Sequence, residues 1–341
     1  SGGGGGGGGQ AVTSGNGGNG AQGAIIITYT TLATLTTAYW VGGTGTWSDF
    51  SATSSANISA SSGGSGYGGF VGTTTNIIFD ANSNVGTGSF TVTANAGVCN
   101  DLTISGLDGA MTLAPTTSGL TIYGTVSLPA TNLTISGTGT ITFAGSGIDN
   151  ITSNGVTWDC PITFDGIGDT WVLQDNMTVG ATRTTTLTNG TLDLNGKTLS
   201  TGIFDSNNSN TRSLTSSTAA NINITTTSST TVWILGISNL TGSNNITVNI
   251  TGNDAVIKTI NTGALSESNA FNFNIGGNGT TITFVSNNSV NDLTITNTTC
   301  TIANVNLTIY NNLSIAGSSP TLTAGTNTWT FASTSGTSTI T

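Results

Sequence analysis

Three aspartates crowd into one short stretch, Trp158-Asp-Cys-Pro-Ile-Thr-Phe-Asp-Gly-Ile-Gly-Asp-Thr-Trp171. Asp159, Asp165 and Asp169 are the densest group of carboxylates in the chain, and Trp158 and Trp171 flank them. Carboxylates beside aromatic rings suit a sugar. The rings stack on its apolar faces, one acid protonates the leaving oxygen, and the second acts as base or nucleophile. The alternative is turn chemistry, because Asp is favoured at corners where its side chain bonds nearby backbone. The spacing does not require the three aspartates to share one face of a strand.

Two further groups of residues carry candidate chemistry. Asp80-Ala-Asn-Ser-Asn84 has the alternating oxygen donors of a calcium loop. It lacks the glycine expected next and the acidic residue expected at the loop's end, so it reads equally as an Asx-rich turn. Tyr123 and Tyr310 occupy matched places in Leu120-Thr-Ile-Tyr-Gly-Thr-Val-Ser-Leu128 and Leu307-Thr-Ile-Tyr-Asn-Asn-Leu-Ser-Ile315. Strand alternation sets each tyrosine opposite its leucine–isoleucine face, where it would stack on a sugar or pack against a neighbouring chain. Tyr123, Tyr310, Trp158 and Trp171 are therefore the candidate glycan contacts. No residue is assigned a catalytic or metal-ligating role, and no cofactor is expected.

Absences narrow the chemistry. The chain has no His, which removes Ser-His-Asp and Cys-His nucleophilic pairs and His-ligated metals. Neither Lys197 nor Lys258 follows the glycine pattern of a phosphate-binding loop. Cys99, Cys160 and Cys300 lie far apart and read as small buried apolar side chains.

The elements that must position these residues are strands. Ile141/Phe143, Leu192/Leu194, Ile246/Val248/Ile250, Phe271/Phe273/Ile275 and Ile282/Phe284 alternate with Thr, Asn or Asp, the pattern of half-buried strands. Asn189-Gly190, Asn195-Gly196 and Asn278-Gly279 mark sharp corners between them. No stretch has helical periodicity, and none approaches the roughly 20 apolar residues that a helical membrane span needs. The aromatic residues do not recur with the spacing of a membrane barrel's girdles. No segment reads as a signal peptide, and the chain is expected to be a processed product or the ordered part of something longer.

Charge decides between the two all-β architectures that remain, a β-solenoid and a string of antiparallel sandwiches. Only 5% of the residues are charged, with 4 Lys and Arg against 14 Asp and Glu, where about 25% is usual. In a solenoid, equivalent places on adjacent coils lie about 4.8 Å apart, so a repeated charge would be repelled by its own copy. Thr and Asn avoid that repulsion and hydrogen-bond along the stack. The deficit favours the solenoid. Four scattered cations also cannot form the basic surface that nucleic acid requires.

The Leu-Thr-Ile-Tyr echo belongs to an ordered series. Phe90, Asn100-Asp-Leu-Thr-Ile104, Leu120 and Thr140-Ile-Thr-Phe143 recur as Phe284, Asn291-Asp-Leu-Thr-Ile295, Leu307 and Thr328-Trp-Thr-Phe331. Such self-similarity is read as a tandem array. The expected division is a glycine-rich leader over 1–38, an opening, capping segment over 39–84, a first solenoid unit over 85–270 and a truncated second copy over 271–341.

Two passages carry a resemblance. Gly17-Gly-Asn-Gly-Ala-Gln-Gly-Ala-Ile-Ile-Ile-Thr-Tyr-Thr30 resembles the end of the glycine-rich domains of many phage tail and fibre proteins. Tyr39-Trp-Val-Gly-Gly-Thr-Gly-Thr-Trp-Ser-Asp49, with Phe79-Asp-Ala-Asn-Ser83, is similar to an opening found in large repetitive surface and virion proteins of bacteria and their phages. The resemblance implies a non-catalytic, fibre-like protein on a virion or other extracellular surface. It also implies assembly into homo-oligomers, trimers among them, with contacts to other virion or surface proteins and to host glycans. The alternatives are a bacterial surface adhesin and a tailspike-type glycan depolymerase using the Asp159–Asp169 cluster.

Overall fold

The structure is a computed structural model. It describes residues 35–47, 57–66, 71–84, 86, 88–227, 231–250, 257–276, 281–285, 287–296, 301–303, 306–316, 321–323, 327–333 and 339–341. Residues 1–34 of the glycine-rich leader, Ser48 and Asp49, Asn278-Gly279 and Cys300 lie outside these residues. Thr34–Thr341 forms one compact unit, a parallel β-solenoid of about ten turns. Among the described residues no helix is long and apolar enough to cross a membrane.

Each coil contributes strands to three faces. Leu102–Ile104, Val126–Ser127 and Ile148–Thr152 begin face one. Met111–Pro115, Leu133–Ser136 and Thr157–Asp159 belong to face two. Leu120–Ile122 and Ile141–Phe143 belong to face three. Two long strands, Ile162–Leu173 and Thr184–Asp193, run from face three into face one, their mutual register shifting on either side of Asp165. Asn189-Gly190, expected to end a strand, instead bends this second one: Gly190 has φ 74°. A side chain at 190 would also start 2.3 Å from the Gly166 carbonyl oxygen of the coil beside it, so only glycine fits.

Alternation fills the interior and coats the exterior. Leu120, Ile141 and Ile162 stack in register on one another, as do Ile122, Phe143 and Phe164, all of them buried. The Phe143 and Phe164 rings stack 5.0 Å apart at 12°, and Phe204 stacks on Trp233 at 4.7 Å. Outside, Thr121, Thr142, Thr163 and Thr186 form a parallel row. On face two the Asn249 amide nitrogen donates to Asn223 Oδ1 at 3.0 Å and Asn274 donates to Asn249 Oδ1 at 3.2 Å. These are the neutral ladders that the charge deficit implies.

The opening segment plugs the first coil. Trp40 and Trp47 pack on Phe79 at 5.6 and 6.1 Å. Thr37–Trp40 pairs in parallel with Asn76–Phe79 on one side and antiparallel with Ile58–Ser59 on the other. That antiparallel strand covers an edge that would otherwise offer unpaired backbone groups.

The echoed series does not mark a boundary in the stack. Asn272–Ile275 pairs in register with Ile246–Ile250 across the expected division at 270/271. Moreover, every echoed element has moved on by one face. Phe90 lies on face two and Phe284 on face three; Leu102–Ile104 lies on face one and Leu293–Ile295 on face two; Leu120–Ile122 lies on face three and Leu307–Ile309 on face one. Tyr123 and Tyr310 therefore follow different faces and are not stacked equivalents.

Two cations occupy inward places. Arg212 is 1% exposed and donates to the carbonyls of Ser206, Asn210, Ser238 and Gly236 and to Ser206 Oγ. Lys258 is fully buried and donates to the Thr226 carbonyl at 2.9 Å. Carbonyl dipoles converging from neighbouring coils hold these charges.

The ladder and the buried guanidinium give two expected outcomes. Asn249→Asp removes the donor to Asn223 and sets a carboxylate beside its oxygen; the urea midpoint should fall, by about 1 kcal/mol, and recover as pH drops through the carboxylate range. Arg212→Leu strands several buried carbonyls and should cost about 3–5 kcal/mol, read by the same measurement. An unchanged midpoint in either variant would contradict the role given to that side chain.

Candidate functional site

The aspartate cluster does not assemble. Asp159 ends a face-two strand and pairs with Arg183, Nε donating to Oδ1 at 2.8 Å, which holds its carboxyl below the usual range. This is the one ion pair between described residues. Asp165 is exposed and accepts from the Asn189 amide at 2.6 Å. Asp169 is 1% exposed, with Oδ1 accepting from the backbone N–H groups of Gly147 and Thr170, each at 2.9 Å. A bulge after Phe164 separates Asp165 from Asp169 and turns them to opposite sides of the strand.

Trp158 and Trp171 are corrected as glycan contacts, since both are fully buried. They belong to the core, Phe143 packing against Trp158 at 5.9 Å and Phe164 against Trp171 at 5.4 Å. Trp158 shares strand parity with Cys160, Ile162 and Phe164, and Trp171 with Leu173; that alternation is the signal that places them inside. Cys99 and Cys160 are buried and unpaired. Desolvation pushes the Cys99 thiol up, and raises that of Cys160 to about 12.

Asp80-Ala-Asn-Ser-Asn84 is a cap. Asp80 Oδ1 accepts from the Asn82 amide at 2.9 Å and Ser83 Oγ accepts from the Asp80 amide at 2.8 Å, closing a single turn over Ala81–Ser83. Asn84 donates to the Gly88 carbonyl. The reciprocal pattern satisfies backbone donors at a helical start and engages Asp80 Oδ1. Among the described residues no three His, Cys, Asp or Glu side chains converge on a metal.

A concave, chemically mixed surface exists where face one is interrupted. After Leu240–Thr241 the next face-one strand is Asn288–Val290; in the coil between them the chain makes a single helical turn, Glu267–Asn269, between Lys258–Asn261 and Asn272–Ile275. The gap becomes a groove of about 400 Å³ lined by Asn244, Glu267, Ser268, Asn291 and Asn311. A second depression of about 420 Å³ shares Glu267 and Ser268 and is walled by Tyr310. Glu267 is the only glutamate in the chain. Its uniqueness was the available sign of this site, and strand periodicity alone did not supply one.

The loop carrying Glu267 is bolted from beneath. Tyr310 Oη and Ser289 Oγ both donate to the Leu265 carbonyl at 2.8 Å, and the Thr262 amide donates to Asn288 Oδ1 at 2.7 Å. Tyr310 packs its ring partly against the core. Burial, and then the Glu267 charge, raise its phenol above the ordinary value, while Ser289 lowers it. Tyr123 is half-buried at a different corner, outside this groove. The groove thus offers amide donors and acceptors, one carboxylate and part of one aromatic ring. Another hollow, beside Ile167, Gly168 and Asn189-Gly190, takes its one charge from Arg212, whose donors are already spent on carbonyls.

Compared with protein-family models, curated proteins and solved structures, the chain matches none of them. Its class is defined by the coordinates alone: an all-β parallel solenoid.

Asp169 gives a pH-dependent expectation. Burial pushes its carboxyl up to about 6; the Thr170 and Gly147 amides pull it down, the Asp149 charge raises it, and the Gly145 amide lowers it. An unfolded aspartate titrates near 3.9, so the folded state prefers the protonated acid. The resulting stability is complete below about pH 4 and is lost as pH rises through about 6. Asp149 faces this group and is itself raised, chiefly by burial, with the Asp101 charge adding to it. In chelator-containing buffer the denaturant midpoint should fall across this window, whereas that of Asp169→Asn should change less. A wild-type-minus-variant difference that stays constant over the window would refute the assignment.

Proposed function

We propose that the chain is a non-catalytic shaft of an extracellular, fibre-like protein, preferably on a phage virion, that contacts host-surface glycans through the Glu267–Tyr310 groove. The observation that carries the reading is the interrupted face: in a stack of uncharged ladders it opens a hollow lined by three asparagines and holding the chain's only glutamate. Asn244, Asn291 and Asn311 supply paired donors and acceptors for sugar hydroxyls. Glu267 accepts from hydroxyls or an amino sugar, and Tyr310 positions the loop while lending ring surface. One carboxylate in the lining falls short of the two that glycoside cleavage ordinarily uses, so binding without turnover is proposed. The uncharged Thr and Asn ladders suit lateral packing between copies, and a homo-oligomeric shaft is part of the proposal.

The test is binding of fluorescent capsule and cell-wall polysaccharides to the intact chain, with Asn311→Ala and Glu267→Gln as variants. Each lost hydrogen bond should weaken binding roughly tenfold, the equivalent of about 1.4 kcal/mol. Equal binding by wild type and both variants, or none with any host polysaccharide, would remove the groove from the proposal. New reducing ends on incubation would overturn its non-catalytic part.

A further inference from the structure

A different corner carries oxygen ligands that the glycan reading does not use. Gly145 follows the face-three strand Ile141–Phe143 and is buried, while Ser146, Gly147 and Ile148 beside it are exposed. A side chain at 145 would start 2.4 Å from Asp169 Oδ2, 2.5 Å from the Tyr123 carbonyl oxygen and 3.0 Å from Asp149 Oδ2. The absence of a side chain therefore lets three oxygens from three successive coils converge against Gly145.

Each carboxylate is already oriented by its other oxygen. Asp169 Oδ1 accepts from the Gly147 and Thr170 amides, and Asp149 Oδ1 accepts from Thr125 Oγ1 at 3.4 Å. Asp169 Oδ2 is buried and makes no well-formed hydrogen bond, with only the Gly145 amide beside it, on a residue that is 1% exposed. An unpartnered carboxylate oxygen inside a protein is costly. A second carboxylate beside it adds repulsion, and Asp101 adds more at Asp149. The one ion pair between described residues, Arg183–Asp159, involves none of these three.

We propose that this notch binds a calcium ion through Asp149 Oδ2, Asp169 Oδ2 and the Tyr123 carbonyl oxygen, with water from the exposed lip completing the shell. The donors are all hard oxygens, as calcium takes and as softer metals do not. Two carboxylates balance a divalent charge. Calcium also tolerates irregular shells of six to eight oxygens, whereas magnesium demands a near-ideal octahedron. The bound ion would tie three consecutive coils together at the bulge within the strand Ile162–Leu173. Calcium binding here stands independently of the glycan groove.

The experiment is thermal unfolding of the chelator-treated chain with and without millimolar calcium chloride, alongside terbium luminescence excited through tryptophan and tyrosine. Calcium should raise the wild-type Tm by a few degrees, and terbium should give a sensitised signal that calcium displaces. Asp149→Asn and Asp169→Asn should lose both responses, and Glu267→Gln should keep both. Should Asp169→Asn fail to fold, the half-exposed Asp149→Asn decides the matter. The proposal is overturned by a wild type indifferent to calcium, by responses that persist in Asp149→Asn, or by calcium-indifferent stability governed only by pH, which would mean a shared proton in place of the ion.

Discussion

In-register stacking governs this molecule. Every strand residue sits about 4.8 Å from the residue in the same place one coil away, so a side chain must suit its neighbours above and below as well as its own coil. Apolar side chains pass that condition by packing, as Ile122, Phe143 and Phe164 do. Asparagine passes it by donating one way and accepting the other, as Asn223, Asn249 and Asn274 do. A row of like charges does not pass. The scarcity of Lys, Arg and Glu follows from this one geometric condition, as does the treatment of Arg212. That guanidinium meets carbonyl oxygens from several coils instead of a copy of itself.

The same condition makes the faces chemically uniform, so concave, chemically mixed surfaces arise where stacking is interrupted. Omission of one face-one strand between Leu240–Thr241 and Asn288–Val290 opens the groove with Glu267. The bend within the strand Ile162–Leu173 brings Asp169 to Asp149 and the Tyr123 carbonyl around Gly145. In both places residues from several coils approach one point without being copies of one another. That freedom is what a ladder denies.

Much of the architecture was legible in the chain because stacking writes itself into composition and period. The alternation at Ile246/Val248/Ile250 and Phe273/Ile275 gives strands, and the missing charge gives the stack. The three-faced coil was not legible, because short strands and corners of variable length leave no fixed period. The echoed phrases therefore looked like a duplicated unit, although Leu120–Ile122 and Leu307–Ile309 serve different faces. The candidate site was legible only in part. Tyr310 borders the groove, but the aspartates between Trp158 and Trp171 are close in sequence and apart in function. Two tryptophans suggested an aromatic platform, while their parity with Phe164 and Leu173 puts them in the core. Asp149 escaped notice because it approaches Asp169 only through the fold.

Most aspartates here are fasteners, and that explains why so many survive in a stack that disfavours charge. Asp101 accepts from the Thr125 amide, Asp292 from the Asn312 amide, and Asp175 from the Ser153 and Asn154 amides, each from a neighbouring coil. At corners the strand ladder lapses and backbone N–H groups need acceptors; a carboxylate there is neutralised by the dipoles it satisfies. Asp169 begins in the same way with Gly147 and Thr170, then presents its second oxygen to an interior already containing Asp149 Oδ2 and a carbonyl. Fastening explains one oxygen of that residue. The convergence around the other calls for a positive charge, and no Lys or Arg is ion-paired there.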